Sequence, residues 1–282
     1  MKKYKFIYLS ILSSILSIST NLFVSHLSLA DSKDNTTETN TKNTDLICLK
    51  YPETEYPEAK SYCDALVNTK IIKSNQIWKN LTAINEQNKK IIWENNDKVN
   101  GRLLVVYWTT WDGYRDKVNQ DIKTTRDTWI TVAPELEEFC KQFTVNPKIS
   151  LPYRINQLLG LAPENTDKIK KRKFVKFWVK KEDLFRPTPD PEITDHEAEL
   201  NFPDLNDFIV ISDKYKFWFL QQLMTNDYPW TKLGYTYDWG KHSDWVKIDP
   251  SRPVNVGLSE FIIRENATVK VDSLVSAEDY CK

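Results

Sequence analysis

Glycine is scarce in this chain, with six in 282 residues. Gly160 and Gly234 stand isolated, so no glycine-rich loop can wrap backbone N–H groups around a phosphate, and ATP-dependent chemistry has no cradle here. Histidine is scarcer still, with three. After His196-Glu197 the position that a zinc-protease helix fills with a second histidine holds Leu200. No Gly-x-Ser-x-Gly elbow presents a serine nucleophile, and no internal repeat occurs. An excess of either charge is also missing, since 39 basic residues face 39 acidic ones. A chain without a basic field, carrying the export signal described next, is not expected to bind nucleic acid.

The N-terminus carries Lys2, Lys3 and Lys5, then an apolar run from Phe6 to Val24, then Leu27-Ser28-Leu29-Ala30. A basic head, an apolar middle and small residues at minus three and minus one of a cut after Ala30 describe a secretory signal peptide over 1–30. The serines within the run and His26 argue against a stable membrane anchor, so no stable membrane insertion is expected after cleavage. Residues 31–45 contain no apolar side chain and read as a disordered tether. One globular domain over 46–282 follows, placed in the secreted or periplasmic space. The Lys, Asn and Ile bias points to an AT-rich bacterial genome.

Four cysteines, Cys48, Cys63, Cys140 and Cys281, all follow the proposed cut, and an even number in an exported chain reads as two disulfides. Three pairings are possible; Cys48 with Cys63 and Cys140 with Cys281 is favoured, because the first closes a short local loop and the second ties the last residues to the body. No two cysteines have the close spacing of a zinc knuckle, and neither a metal nor a cofactor is expected.

Local patterns predict helices over 59–67, from Ser74 to about Asn95, from Pro134, over 154–159, and from Ser212. The last is so apolar (Tyr215, Phe217, Trp218, Phe219, Leu220, Leu223, Met224) that burial on several sides is expected. Strands are predicted at 102–109, 129–132, 174–179, 235–239 and 245–248, with a last pair formed by 259–264 and 268–271. The basic cluster 168–173, continued by lysines at 176, 180 and 181, reads as an anion-binding patch or as a lysine-guarded edge strand. Pro187, Pro189 and Pro191 predict an exposed extended segment, and Thr194 to Glu197 has the form of a capping box. Helices and strands without a βαβ rhythm indicate an α+β fold: a single compact domain with a largely antiparallel mixed sheet and several packed helices.

Aromatic rings concentrate between Tyr228 and Gly240. At a strand's period of two, Tyr235, Tyr237 and Trp239 share one face and Thr236 and Asp238 the other. The ring face, with Trp230 and Trp245 nearby, is either a sugar-binding platform or core; the apolar helix before it needs a cover, which favours core. Accessible chemistry is then expected at Asp238, His242 and Asp244. His196, among Asp195, Glu197 and Glu199, is a second candidate general base, although a helix start explains it as simply. These observations describe an exported, disulfide-stapled binding or interaction protein, with an envelope glycan or another protein as its partner. The alternative is a carbohydrate-active hydrolase, which would pair Asp238 with Glu197 or Glu260 across a groove.

Overall fold

The run Leu-Leu-Val-Val-Tyr-Trp-Thr offers bulky side chains to both faces of a strand, and such a strand belongs in a sheet covered on both sides. In the computed structural model, which describes residues 47–145, 147–202, 211–224, 228–247 and 249–282, this run is β1 (Leu103–Thr109), the centre of a seven-stranded sheet. The other members are β2 (Asp121–Lys123), β3 (Thr128–Val132), β4 (Lys173–Val179), β5 (Leu184–Phe185), β8 (Phe261–Ile263) and β9 (Thr268–Val275), in the order β2-β9-β4-β1-β3-β8-β5. Every pairing is antiparallel. A separate two-stranded sheet joins β6 (Tyr235–Tyr237) to β7 (Val256–Ser259). The signal peptide and tether expected over 1–30 and 31–45 lie outside the described residues.

One face of the large sheet buries Val105, Ile130, Phe177, Phe261 and Val271 under Ile84, Ile91 and Trp93. The other buries Leu104, Val106, Trp108 and Phe174 under α2 (Ala133–Cys140), α3 (Leu151–Leu158) and α6 (Ala277–Tyr280). Two further clusters lie around α1 (Ala59–Asn68) and β6. α4 (Thr166–Ile169) is a single turn, and α5 (Asp213–Leu223) starts at Ser212, whose hydroxyl accepts from Tyr215 N. Disulfides join Cys48 to Cys63 and Cys140 to Cys281. Among the described residues no helix is long and apolar enough to cross a membrane.

Several local expectations give way to tertiary structure. The helix predicted from Ser74 is instead an irregular strap with short 3-10 turns at Ser74–Gln76 and Glu94–Asn96. Its backbone bonds leave the segment: Leu81 N donates to His196 O and Ile84 N to Ile193 O. Asn85 Oδ1 accepts from Gln87 N and Asn88 N, the local turn that competes with a helix. β4 is an interior strand rather than a guarded edge. Its basic residues and those before it are largely neutralised: Lys168 and Arg172 by Glu164, Lys173 by Asp112 and Lys176 by Asp272.

The proline segment is also different from its expectation. Pro187 and Pro189 are buried, because Tyr215 Oη donates to the carbonyls of Arg186 and Thr188 and α5 covers the turn. Thr194 to Glu197 caps no helix; the Glu192 carboxylate takes the N–H groups of Thr194 and Asp195 instead. The strands at 259–264 and 268–271 do not pair with each other, since β8 lies between β3 and β5 while β9 lies between β2 and β4. α5 buries only Tyr215 and Phe219 and leaves Phe217, Leu220 and Met224 exposed. The rings expected to cover it pack elsewhere, with Trp239 against Tyr62 and Tyr153.

Candidate functional site

The aromatic stretch enters the core on both faces. Tyr235, Tyr237 and Trp239 are each buried, so they form no open platform, and Asp238 on the opposite side is buried as well. Asp238 does not stand free for chemistry. Arg154, on α3, donates from Nη1 and Nη2 to its two carboxylate oxygens, both at 2.7 Å. Arg154 Nε lies 3.0 Å from Asp244 Oδ2, an ion pair rather than an aligned hydrogen bond. The guanidinium rests on the Trp245 ring at 4.4 Å. A side chain at Gly240 would put a Cβ 2.6 Å from Arg154 Cζ, so this turn has room only for glycine.

His242 sits at the edge of this group, where burial lowers its pKa and Asp238 opposes the shift. His196 and Glu197 are not brought near it. His196 Nδ1 lies 2.7 Å from Leu81 O, and Glu197 forms an exposed ion pair with Lys79. Glu197 and Asp238 are therefore held by different partners in different parts of the molecule. Among the described residues no group of three or more His, Cys, Asp or Glu is placed to hold a metal ion.

The space in the molecule lies elsewhere. A cavity of about 1560 Å³ opens between the large sheet and the small one. Val106, Thr131 and Phe174 of the large sheet line one side, and Thr236 and Tyr237 of β6 line the other. The lining mixes apolar side chains, among them Leu159, Leu161 and Trp230, with polar ones, among them Asn68, Gln76 and Asn255. Its open side is marked by lining residues that reach solvent: Lys73, Arg126, Trp129 and Tyr228. Trp129 meets Trp230 edge to face at 5.9 Å, and Trp230 in turn packs on Phe219 of α5 at 5.0 Å.

Two polar groups stand out on this lining. Glu260, between β7 and β8, is 6% exposed, and its Oε1 has no hydrogen-bond partner among the described residues. Burial pushes its carboxyl well above the usual range, a shift that the facing Trp230 indole N–H only moderates. Burial thus favours the neutral acid, whose O–H is a donor. Lys232 is the second. Its ammonium donates to Thr69 O, and burial alone lowers it to about 8.

A buried latch fixes the wall on which Glu260 stands. Ser259 N and Oγ both donate to Glu135 Oε1, Thr82 Oγ1 donates to Glu135 Oε2, and Thr131 Oγ1 donates to Ser259 O. This ties α2, β3, β7 and the strap into one rigid frame. Trp230 and Glu260 were visible in the sequence as an aromatic and a carboxylate; Lys232, Glu135 and Arg154 carry no local pattern that marks them.

Fold and cavity together describe a disulfide-stapled α+β protein with a partly open cavity between its two sheets. Comparison with family models, with curated proteins and with solved structures finds no match to this chain.

Proposed function

We propose that this is an exported binding protein whose ligand places an apolar body in the chamber between the two sheets. The observation that carries the reading is the open cavity itself: about 1560 Å³, with Leu159, Leu161 and the half-buried Trp230 among the apolar lining residues that keep accessible surface. Binding sites of this kind combine apolar walls with a few fixed polar groups, and Glu260, Trp230 and Lys232 are such groups. The two disulfides support a location outside reducing compartments.

The hydrolase alternative draws less support from the geometry. A glycosidase needs two carboxyl groups free to face one bond, and Asp238 spends both oxygens on Arg154. The test of the binding reading is fluorescence titration with the neutral apolar probe N-phenyl-1-naphthylamine. Saturable binding that Trp230→Ala weakens by about tenfold is expected from loss of a ring contact. Absence of saturable binding to the folded protein would overturn the assignment of the chamber as a ligand site.

A further inference from the structure

Lys232 projects from a turn that the chain holds against its own preference. Its φ of 60° places a non-glycine residue in the left-handed region. Thr231 stabilises that turn on both sides, its Oγ1 donating to Tyr235 O at 2.6 Å and accepting from Leu233 N at 3.2 Å. The result is a partly buried ammonium on the chamber lining that donates to a neutral carbonyl, that of Thr69. Among the described residues no carboxylate lies within ion-pair distance of it, whereas most other buried or half-buried cations have one, among them Arg102, Arg154 and Arg172.

We propose that the chamber's ligand is an amphipathic anion, an apolar body bearing a carboxylate, sulfonate or phosphate head, and that Lys232 receives the head. This assignment rests on the chamber being a ligand site. The charge balance of the lining supports it. Lys73 and Arg126 are exposed lining residues with no ion-pair partner among the described residues, and Arg172 is already neutralised by Glu164. Of the two lining acids, Asp127 is a single carboxylate among the cations Lys73, Arg126 and Lys232, and Glu260 is buried where its neutral form is favoured. A cationic ligand would therefore enter a field of its own sign, and an anion enters one of opposite sign. In the protonated form that burial favours, Glu260 adds an O–H donor to the same lining, which suits a ligand rich in acceptor oxygens. Desolvation works in the same direction: an ammonium shielded from water forms a stronger contact with an anion than an exposed one.

The test compares two probes with the same rings, neutral N-phenyl-1-naphthylamine and 8-anilinonaphthalene-1-sulfonate. The sulfonate is expected to bind the unaltered full chain about tenfold or more tightly than the neutral probe, the worth of one charge-assisted contact. Lys232→Met should remove that preference by weakening the sulfonate about tenfold more than the neutral probe, and Lys232→Arg should retain it. Equal binding of the two probes by the unaltered protein overturns the head-group assignment while leaving the chamber as an apolar site. Equal weakening of both probes by Lys232→Met, or loss of the preference in Lys232→Arg as well, also overturns it. Binding of neither probe removes the chamber reading and this assignment together. Displacement of the sulfonate by dodecanoate identifies a lipid-chain acid as the natural body, and displacement by 1-naphthoate a ring acid; displacement by neither counts against the class.

Discussion

Arg154 and Asp238, 84 residues apart in sequence, meet as a two-pronged ion pair with both partners withdrawn from solvent. The pair joins α3 to the segment leaving β6, and Asp244 and the Trp245 ring complete the enclosure. Isolated, either charge would be strongly unfavourable at this depth, so the pair acts as a structural unit.

Arg154→Ala should lower stability by about 3–5 kcal/mol, because it leaves two carboxylates without their counter-charge. The double replacement Arg154→Met with Asp238→Leu should lose much less than the sum of the single changes. Urea unfolding of the four proteins in a double-mutant cycle measures the coupling. A coupling energy near zero would show that the pair is not a unit.

Glu260 predicts an unusual pH response. Its folded-state pKa is raised, so the folded state holds the proton more tightly than the unfolded chain. The associated stability is fully present below the unfolded value and is lost as pH rises toward the folded one, at about 1.4 kcal/mol per pH unit over that window. Glu260→Gln keeps the shape without the titration. The variant should match the parent near pH 4 and exceed it at pH 7 and above, as read from thermal unfolding at several pH values. A variant that is less stable at neutral pH would mean the carboxylate is charged and satisfied.

Glu164 predicts the opposite slope. Burial alone would raise its pKa, but Arg172, Lys168 and Asn156 all donate to it and carry it down to about 2. Stability from this group is present above its unfolded value and is lost as pH falls from about 4.5 toward 2. Glu164→Gln should cost on the order of 3 kcal/mol at pH 7, with the gap to the parent closing in acid. Equal destabilisation at pH 7 and pH 3 would rule out the ionised form as the source.

The disulfides should contribute unequally. Cys140 and Cys281 are separated by 141 positions and Cys48 and Cys63 by 15. Loop-closure entropy gives about 5 kcal/mol for the first and about 3 for the second. Removing the longer bridge by paired Cys→Ala changes should lower the urea midpoint more than removing the shorter. The reverse order would indicate that α1 depends on its local bridge for more than chain entropy.

Much of the secondary structure was legible. β1 and β4 announce themselves through apolar and β-branched runs, α2 through Pro134 in its first turn, and α5 through its Ser212 cap, because these signals act within a few residues. The strap at 74–95 misled for an instructive reason. Ile77, Leu81, Ile84 and Ile91 recur at helical spacing, but an irregular chain lying across a sheet buries side chains at similar intervals. Its backbone partners at 193 and 196 lie more than a hundred residues away and leave no local trace.

The sequence by itself determined the α+β class, the two staples and the gathering of rings around Tyr228 to Gly240. Tertiary structure alone decided which of those rings are core, that Asp238 is spent on Arg154, and that Lys232 and Glu260 share the lining of one chamber. The reason is physical. Propensity, capping and periodicity are properties of neighbouring residues, whereas burial, counter-charge and enclosed volume belong to surfaces that exist only once distant segments have packed.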